Sequence, residues 1–339
     1  MQDLSGTAKQ EKKWGADLTI FCQTDKVYLP GAYALFNSAV LNEFEGNFNI
    51  MVPAAVLQQI PSLPKHQQLQ FVPYEPLPSS YQYSANRMAC FKNLSPGKYL
   101  WLDSDVVIER PCGQLFQAID DGLVVSTEPV DKYDPFDIVF YRQAKEAGLS
   151  NNFRYYPYVN AGMLGFSLPR DARFINKWVE IAVARLNNLT VCQPGSNWFF
   201  LEQDILNLLI KQPDTVSFSV STRMLEFGHF AKVFQDRPFP WQSQGDLRPA
   251  DQIKYLIHGA SLPRPWLKRV RQSIKGKIAA ALEPLGLLAF VSKPSPYERA
   301  WAYYACRENL PIPVSAWAFE HDFHAYKNPL WCQMYGLSS

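Results

Sequence analysis

Short apolar runs alternate with stretches of helical spacing through the first two thirds of the chain. Leu18 to Cys22 reads as a buried strand that stops at Gln23-Thr24-Asp25, so an acid stands where strand gives way to loop. Ala32 to Leu41 carries apolar residues at helical spacing. Phe48 to Val52 and Leu69 to Val72 repeat the strand pattern, and Tyr83 to Phe91 reads as a helix. Tyr99 to Leu102 is continuously apolar, as a central strand covered on both faces must be, and Val106 to Ile108 resumes it after Asp103-Ser104-Asp105. Leu123 to Ser126 and Gly162 to Phe166 are further strands, and Pro129 to Tyr158 reads as loop with a helical stretch. Pro169 to Leu186 has a helical stripe of Phe174, Trp178, Ile181 and Leu186, and Phe199 to Ile210 is another helix. The alternation predicts an α/β fold around a mostly parallel, doubly wound sheet.

Near residue 266 the pattern changes. Leu267, Val270, Ile274, Ile278, Ala281 and Leu285 share one helical face, while Lys268, Arg269, Arg271, Lys275 and Lys277 cover the others, until Pro284 and Gly286 interrupt. Ser292 to Ser339 is aromatic and punctuated by proline. The chain therefore divides into a polar N-terminal segment (1–16), a main domain (17–265) and a C-terminal helical, aromatic-rich extension (266–339). The stretch 266–291 has two readings: a basic amphipathic helix lying on an anionic membrane, or a terminal helix packed on the main domain with a solvated basic face. Pro284 limits its length, which favours the second.

Composition narrows the function classes. Of 339 residues, 47% are hydrophobic and 19% charged, which excludes a wholly disordered chain. The 33 Lys and Arg against 31 Asp and Glu leave +2, too balanced for a dedicated nucleic-acid binder. An aromatic share of 14% suits a heavy core or aromatic-lined sugar and base pockets. The 6 cysteines show neither CxxC nor zinc spacing and read as reduced, mostly buried thiols. Met1 to Trp14 is polar with no apolar region behind it, and no apolar run of about 18 residues exists to span a bilayer, so the expected location is cytoplasmic.

Chemistry concentrates after the apolar run at Tyr99. Asp103 and Asp105 both emerge at the C-terminal edge of that strand, where open α/β sheets bind ligands, and two carboxylates can hold a hard divalent cation. The competing reading is a turn whose aspartates cap backbone N–H groups. No GxGxxG, GxxxxGK[ST] or GxSxG occurs, so dinucleotide binding, P-loop hydrolysis and serine esterase chemistry lack sequence support. Glu320-His321-Asp322-Phe323-His324 has a His-x-x-His pattern but no further spaced ligand, and reads as surface loop or tail.

Four segments in order resemble glycosyltransferase family 8, the retaining GT-A enzymes that include glycogenin and bacterial galactosyltransferases of lipooligosaccharide synthesis. They are Tyr99-Leu100-Trp101-Leu102-Asp103-Ser104-Asp105, Asn160-Ala161-Gly162, Glu202-Gln203-Asp204-Ile205-Leu206-Asn207, and His258 followed by Arg264-Pro265-Trp266. The strand ending at Asp25, with Tyr28 and Ser38 beyond, is similar to the family's opening, and the likeness spans residues 17–268.

The resemblance implies a GT-A fold and metal-dependent transfer of a hexose from a UDP-sugar, with retention, to a glycan, lipid-linked glycan or other hydroxyl acceptor. It implies that Asp103, Asp105 and His258 hold Mn²⁺ or Mg²⁺, a mixed oxygen and imidazole set that suits Mn²⁺. Without the other motifs, His258 would read as a structural histidine. Asn160 corresponds to the segment beside the sugar ring, against the competing reading of a strand-entry turn. Glu202, Gln203 and Asp204 stand for the family's Asp-Gln-Asp, with the Gln203 carbonyl facing an oxocarbenium-like anomeric centre. The same three residues also suit the first turn of a helix, where acids favour the macrodipole. Asp25 falls near the base or ribose, Tyr28 stacks on uracil, and Glu128 matches an acid near the sugar. Arg87 has two equal readings, a donor contact or a solvated helix face. Arg264 replaces a lysine that pairs with the diphosphate. The family's glycine three residues after the histidine is Ser261 here, and Gly259 is the glycine that remains for close approach to phosphate.

Two other function classes compete. One is a non-catalytic nucleotide-sugar binding protein on the same fold, supported by the altered segment from Gly259 to Arg264. The other is a sugar nucleotidyltransferase, whose Gly-rich basic loop after the first strand has no counterpart in Thr24-Asp25-Lys26-Val27-Tyr28.

Overall fold

The structure, a computed structural model, describes residues 13–60, 62–79, 82–92, 94–127, 138–153, 158–187, 198, 201–212, 218–222, 225–227, 256–259, 296–307 and 309–314. Glu128, Ser261, Arg264, the stretch 266–291 and the 320–324 histidine pattern lie outside the described residues.

Seven strands form the main sheet: β1 (Leu18–Gln23), β2 (Asn47–Pro53), β3 (Leu69–Tyr74), β4 (Gly97–Leu102), β6 (Leu123–Thr127), β7 (Val159–Leu168) and β8 (Phe218–Thr222). Their order is β3-β2-β1-β4-β7-β6-β8. β3, β2, β1 and β4 are mutually parallel, as are β6 and β8, while β7 runs antiparallel to both β4 and β6. The expected strands all form, and the sheet is mostly parallel. A second, small sheet joins β5 (Val106–Ile108), β10 (Leu256–His258) and β9 (Leu225–Phe227) in the order β5-β10-β9.

Strand residues alternate between two cores. Ile20, Cys22, Leu100 and Leu102 face one side with α1 (Leu29–Leu41), and Phe21, Tyr99 and Trp101 face the other with α3 (Gln82–Phe91), α6 (Ala172–Leu186) and α7 (Leu201–Ile210). Coverage on both faces is why these strands read as continuous apolar runs. The predicted stripe on α6 is buried at Phe174, Trp178, Ile181 and Leu186. The helical stretch expected within 129–158 is α5 (Ile138–Glu146). Two one-turn helices, α2 (Ala54–Leu57) and α4 (Gly113–Gln117), complete the first half.

The sequence pattern had not resolved the helix α8 (Pro296–Cys306). It buries Tyr297, Ala300, Trp301, Ala302, Tyr304 and Ala305 in the same core as α1, β5 and β10. Asn37 on α1 binds its C-terminal end: Nδ2 donates to the Tyr304 carbonyl at 2.9 Å and to Ile312 O at 3.0 Å, while Oδ1 accepts Ile312 N–H at 3.0 Å. Trp14, in the nominally polar N-terminal segment, is buried and stacks on Phe116. Cys22, Cys90 and Cys112 are buried free thiols, and Cys306 is a partly buried one. Among the described residues no helix is long and apolar enough to cross a membrane.

Candidate active site

Three parts of the topology converge at the C-terminal edge of β4. The strand ends at Leu102, and the turn that follows is closed by Val106 N–H donating to Asp103 O at 3.0 Å, so Asp103 and Asp105 leave the sheet together. β7 runs opposite to β4, so its beginning lies beside the end of β4; Asp103 N–H donates to Gly162 O at 2.9 Å. β10 pairs antiparallel with β5 and sets His258 opposite Val106, one residue from Asp105.

His258 Nε2 lies 3.2 Å from Asp105 Oδ1 and 3.7 Å from Asp103 Oδ2. One ligand atom from each of the three residues lies within 4.8 Å of the others, and all three are buried. Gly162 makes this closure possible. A Cβ there would come within 2.6 Å of both His258 Cε1 and Asn160 Oδ1, and 3.0 Å from Asp103 Oδ2. Two carboxylates and an imidazole around a floor with no side chain fit a divalent cation such as Mn²⁺, for which oxygen and imidazole donors are suited.

A buried cation stands behind the acids. Arg87 on α3 donates to Asp103 Oδ1 at 2.5 Å and lies 3.2 Å from Glu202 Oε1. It also reaches Ala161 O at 3.3 Å and stacks over Tyr83 and Trp101. Burial opposes its charge, but Asp103, Tyr83 and Glu202 more than offset this and raise the guanidinium above its ordinary value. With 2% exposure Arg87 is not on a solvated helix face, so that alternative is corrected: its partners are carboxylates that would otherwise be buried without a counter-charge. Tyr83, one turn earlier, donates its hydroxyl to Asp103 Oδ2 at 3.1 Å, a contact the motif reading missed. Its i to i+4 spacing from Arg87 was the available signal.

The first turn of α7 supplies Glu202, Gln203 and Asp204, all buried. Gln203 Oε1 accepts the Ala161 N–H at 2.9 Å, and its Nε2 donates to Tyr158 Oη at 3.2 Å. Because the Ala161 partner is a donor, the orientation of this amide is fixed. Tyr158 in turn donates to Asp204 Oδ1 at 3.0 Å. Asn207 locks α7 to β7, accepting Val159 N–H at 2.7 Å and donating to Val159 O at 2.9 Å. Ser84 donates to Glu202 Oε2. The Asn160 carbonyl oxygen accepts Gly162 N–H at 2.7 Å. Tyr158 and Asn207 had been assigned no role from sequence.

At the end of β1, the neighbour of β4, Asp25 Oδ1 accepts Tyr28 N–H at 2.9 Å; both residues are half-buried on the same edge of the sheet. Gly259 N–H donates to Asp105 O at 2.8 Å. The structure thus gathers Asp103, Asp105, His258, Asn160, Arg87, Glu202, Gln203 and Asp204, with Asp25 and Tyr28 along the same edge.

This sheet order, with one reversed strand and an acid pair leaving the end of its central strand, defines the GT-A fold. Among solved structures the chain is similar to an active-site mutant of LgtC, at a TM-score of 0.51 and 15% identity over 79% of this chain and 95% of that one. It is also similar to the galactosyltransferase LgtC in complex with donor and acceptor sugar analogues, at 0.49 and 16% over 84% and 99%. A third is the bifunctional glycosyltransferase WbbM, at 0.46 and 13% over 86% of this chain and 52% of that one. No protein-family description and no curated protein sequence matches the chain.

Proposed function

We propose that the chain is a metal-dependent glycosyltransferase of the family 8 type that moves a hexose from a UDP-sugar to a hydroxyl acceptor, a glycan or lipid-linked glycan, with retention at the anomeric carbon. The observation that carries the reading is the convergence of Asp103, Asp105 and His258 at the strand edge used for ligands in open α/β sheets. The fold shared with LgtC, a galactosyltransferase, supports it. Asp103, Asp105 and His258 would hold Mn²⁺ or Mg²⁺, which when bound supplies a Lewis acid for the diphosphate leaving group. Asp25 and Tyr28 would receive the nucleoside, and Arg264 the diphosphate.

The chain's own residues do the rest. Gln203 presents a carbonyl of fixed orientation, and a neutral amide oxygen suits stabilisation of a positive anomeric centre better than covalent attack. The Ala161 N–H and the Tyr158 hydroxyl hold that amide at both ends, while Asn207 bonds the Gln203 backbone carbonyl. Arg87 pairs with both Asp103 and Glu202 and supplies a positive charge that lies between the two buried acids. Asn160 would contact sugar hydroxyls.

The test is release of UDP from a panel of UDP-hexoses with a broad acceptor set, first with Mn²⁺ and then with EDTA. Donor-specific release that stops with EDTA is expected. Turnover that persists without metal rejects the role of the acid pair. Binding of UDP-sugar without release would move the chain to the non-catalytic class.

A further inference from the structure

Helix α8 reaches the candidate metal site through a residue that neither the motifs nor the proposed chemistry uses. Tyr297 is fully buried, and its ring lies against Gly259, the residue that follows His258. A Cβ on Gly259 would stand 2.6 Å from ring atom Cε1 and 2.8 Å from Cδ1 and Cζ. The other side of Gly259 is engaged as well, its N–H donating to Asp105 O at 2.8 Å. Ring, glycine and the β5–β10 pair therefore form a stack ending on two of the three candidate ligands. Glycine is required at 259 because the tyrosine ring already occupies the space of a side chain.

Helix α1 holds the stack from behind. Asn42 Nδ2 donates to Ile108 O at 2.8 Å and to Tyr304 Oη at 3.1 Å, which ties β5 and α8 to one anchor. Asn37 fixes the far end of α8 at Tyr304 and Ile312. β10 is only 3 residues long, so its ladder contributes few bonds of its own.

The geometry points to Tyr297 as a positioning residue: by filling the space over Gly259 it sets where β10 delivers the His258 imidazole relative to Asp105. The inference rests on the proposal that Asp103, Asp105 and His258 hold a divalent cation. A cation site tolerates little looseness, since a shift of about 1 Å leaves a ligand out of reach. Groups that orient metal ligands typically matter by about 10- to 100-fold in affinity.

The experiment titrates Mn²⁺ into the full chain without substrate and reads bound metal by loss of the free-ion electron paramagnetic resonance signal. Tyr297→Phe keeps the ring and should bind like wild type. Tyr297→Leu and Gly259→Ala should each weaken binding about 10-fold. The double variant should bind more tightly than Gly259→Ala alone, because leucine leaves room for the new methyl. Leu186→Ala, a truncation on α6 in the core on the other face of the sheet, should lower the unfolding midpoint and leave Mn²⁺ affinity unchanged. Circular dichroism selects natively folded variants, with Tyr297→Met and Gly259→Ser standing in for any that fail. If wild type binds no Mn²⁺, the metal-site reading falls. If wild type binds and every folded variant at 297 and 259 binds equally well, the positioning role is overturned. It is equally overturned if Leu186→Ala weakens binding as much as Tyr297→Leu.

Discussion

Gly162 shows how much of the site depends on an absent side chain. Its α-carbon faces His258, Asn160 and Asp103, so Gly162→Ala forces a methyl into contacts of 2.6 Å. That substitution should cost about 1–3 kcal/mol of stability, as overpacking does, and open the ligand triangle. Denaturant titration and Mn²⁺ binding measured on the same sample check both. Arg87 makes the opposite point, since it supplies a charge where two acids are buried. Arg87→Met should destabilise by about 3–5 kcal/mol, the loss typical when one member of a buried ion pair is removed. Chemical denaturation reads it directly. At this scale the acid pair was legible in the sequence because it interrupts an apolar strand. Arg87 was not, because a basic residue in a helix of mean polarity looks the same facing water or facing two carboxylates. Tyr158 and Asn207 act by hydrogen bonds between elements, and no local pattern records those.

Elements explain why the motifs, far apart in the chain, meet. The central strands were legible because coverage on both faces makes their buried runs, such as Tyr99 to Leu102, continuously apolar, whereas the edge strand β3 is half exposed. The direction of β7 was not, since a strand of given composition reads identically in either sense. Its reversal nevertheless places Asn160 to Gly162 beside Asp103; a parallel β7 would have carried them to the opposite edge. Helix α8 had a usable signal, with apolar residues at 297, 300, 301, 304 and 305 after a proline at the first helical position. The surrounding prolines and aromatics obscured it. The joint between α1 and α8 predicts a local energetic effect. Asn37 makes three buried hydrogen bonds across it, so Asn37→Ala should leave backbone groups at Tyr304 and Ile312 unsatisfied and cost about 1–3 kcal/mol for each group stranded. Thermal and urea unfolding of the variant would show the loss, and an unchanged midpoint would mean that solvent replaces the amide.

On the scale of the whole molecule, the buried apolar side chains among the described residues form two cores on opposite faces of the sheet, and cysteines report on them separately. Cys22 and Cys112 belong to the α1 side and Cys90 to the α3 side. Burial raises the pKa of all three thiols above the ordinary value, so they remain protonated and poor nucleophiles at neutral pH. Native protein treated with iodoacetamide should therefore modify Cys306 before any of these three. Mass spectrometry at increasing urea should then show Cys22 and Cys90 reacting together if the sheet unfolds as one unit, and in succession if one face opens first. The overall α/β plan was legible in the sequence because strand–helix alternation is a long-range pattern summed over many residues. Val106 to Ile108 read as extended, but its pairing into the small sheet β5-β10-β9 escaped because strands of 3 residues carry too little pattern to show their partners.

Asp105 and His258 touch across 153 residues of chain. On the ribosome, the two acids therefore emerge long before the imidazole that completes their triangle, and α8 emerges later still. A nascent chain that stops short of residue 258 has the two acids without their imidazole, so the three-residue cluster cannot close until the segment carrying β10 has been made.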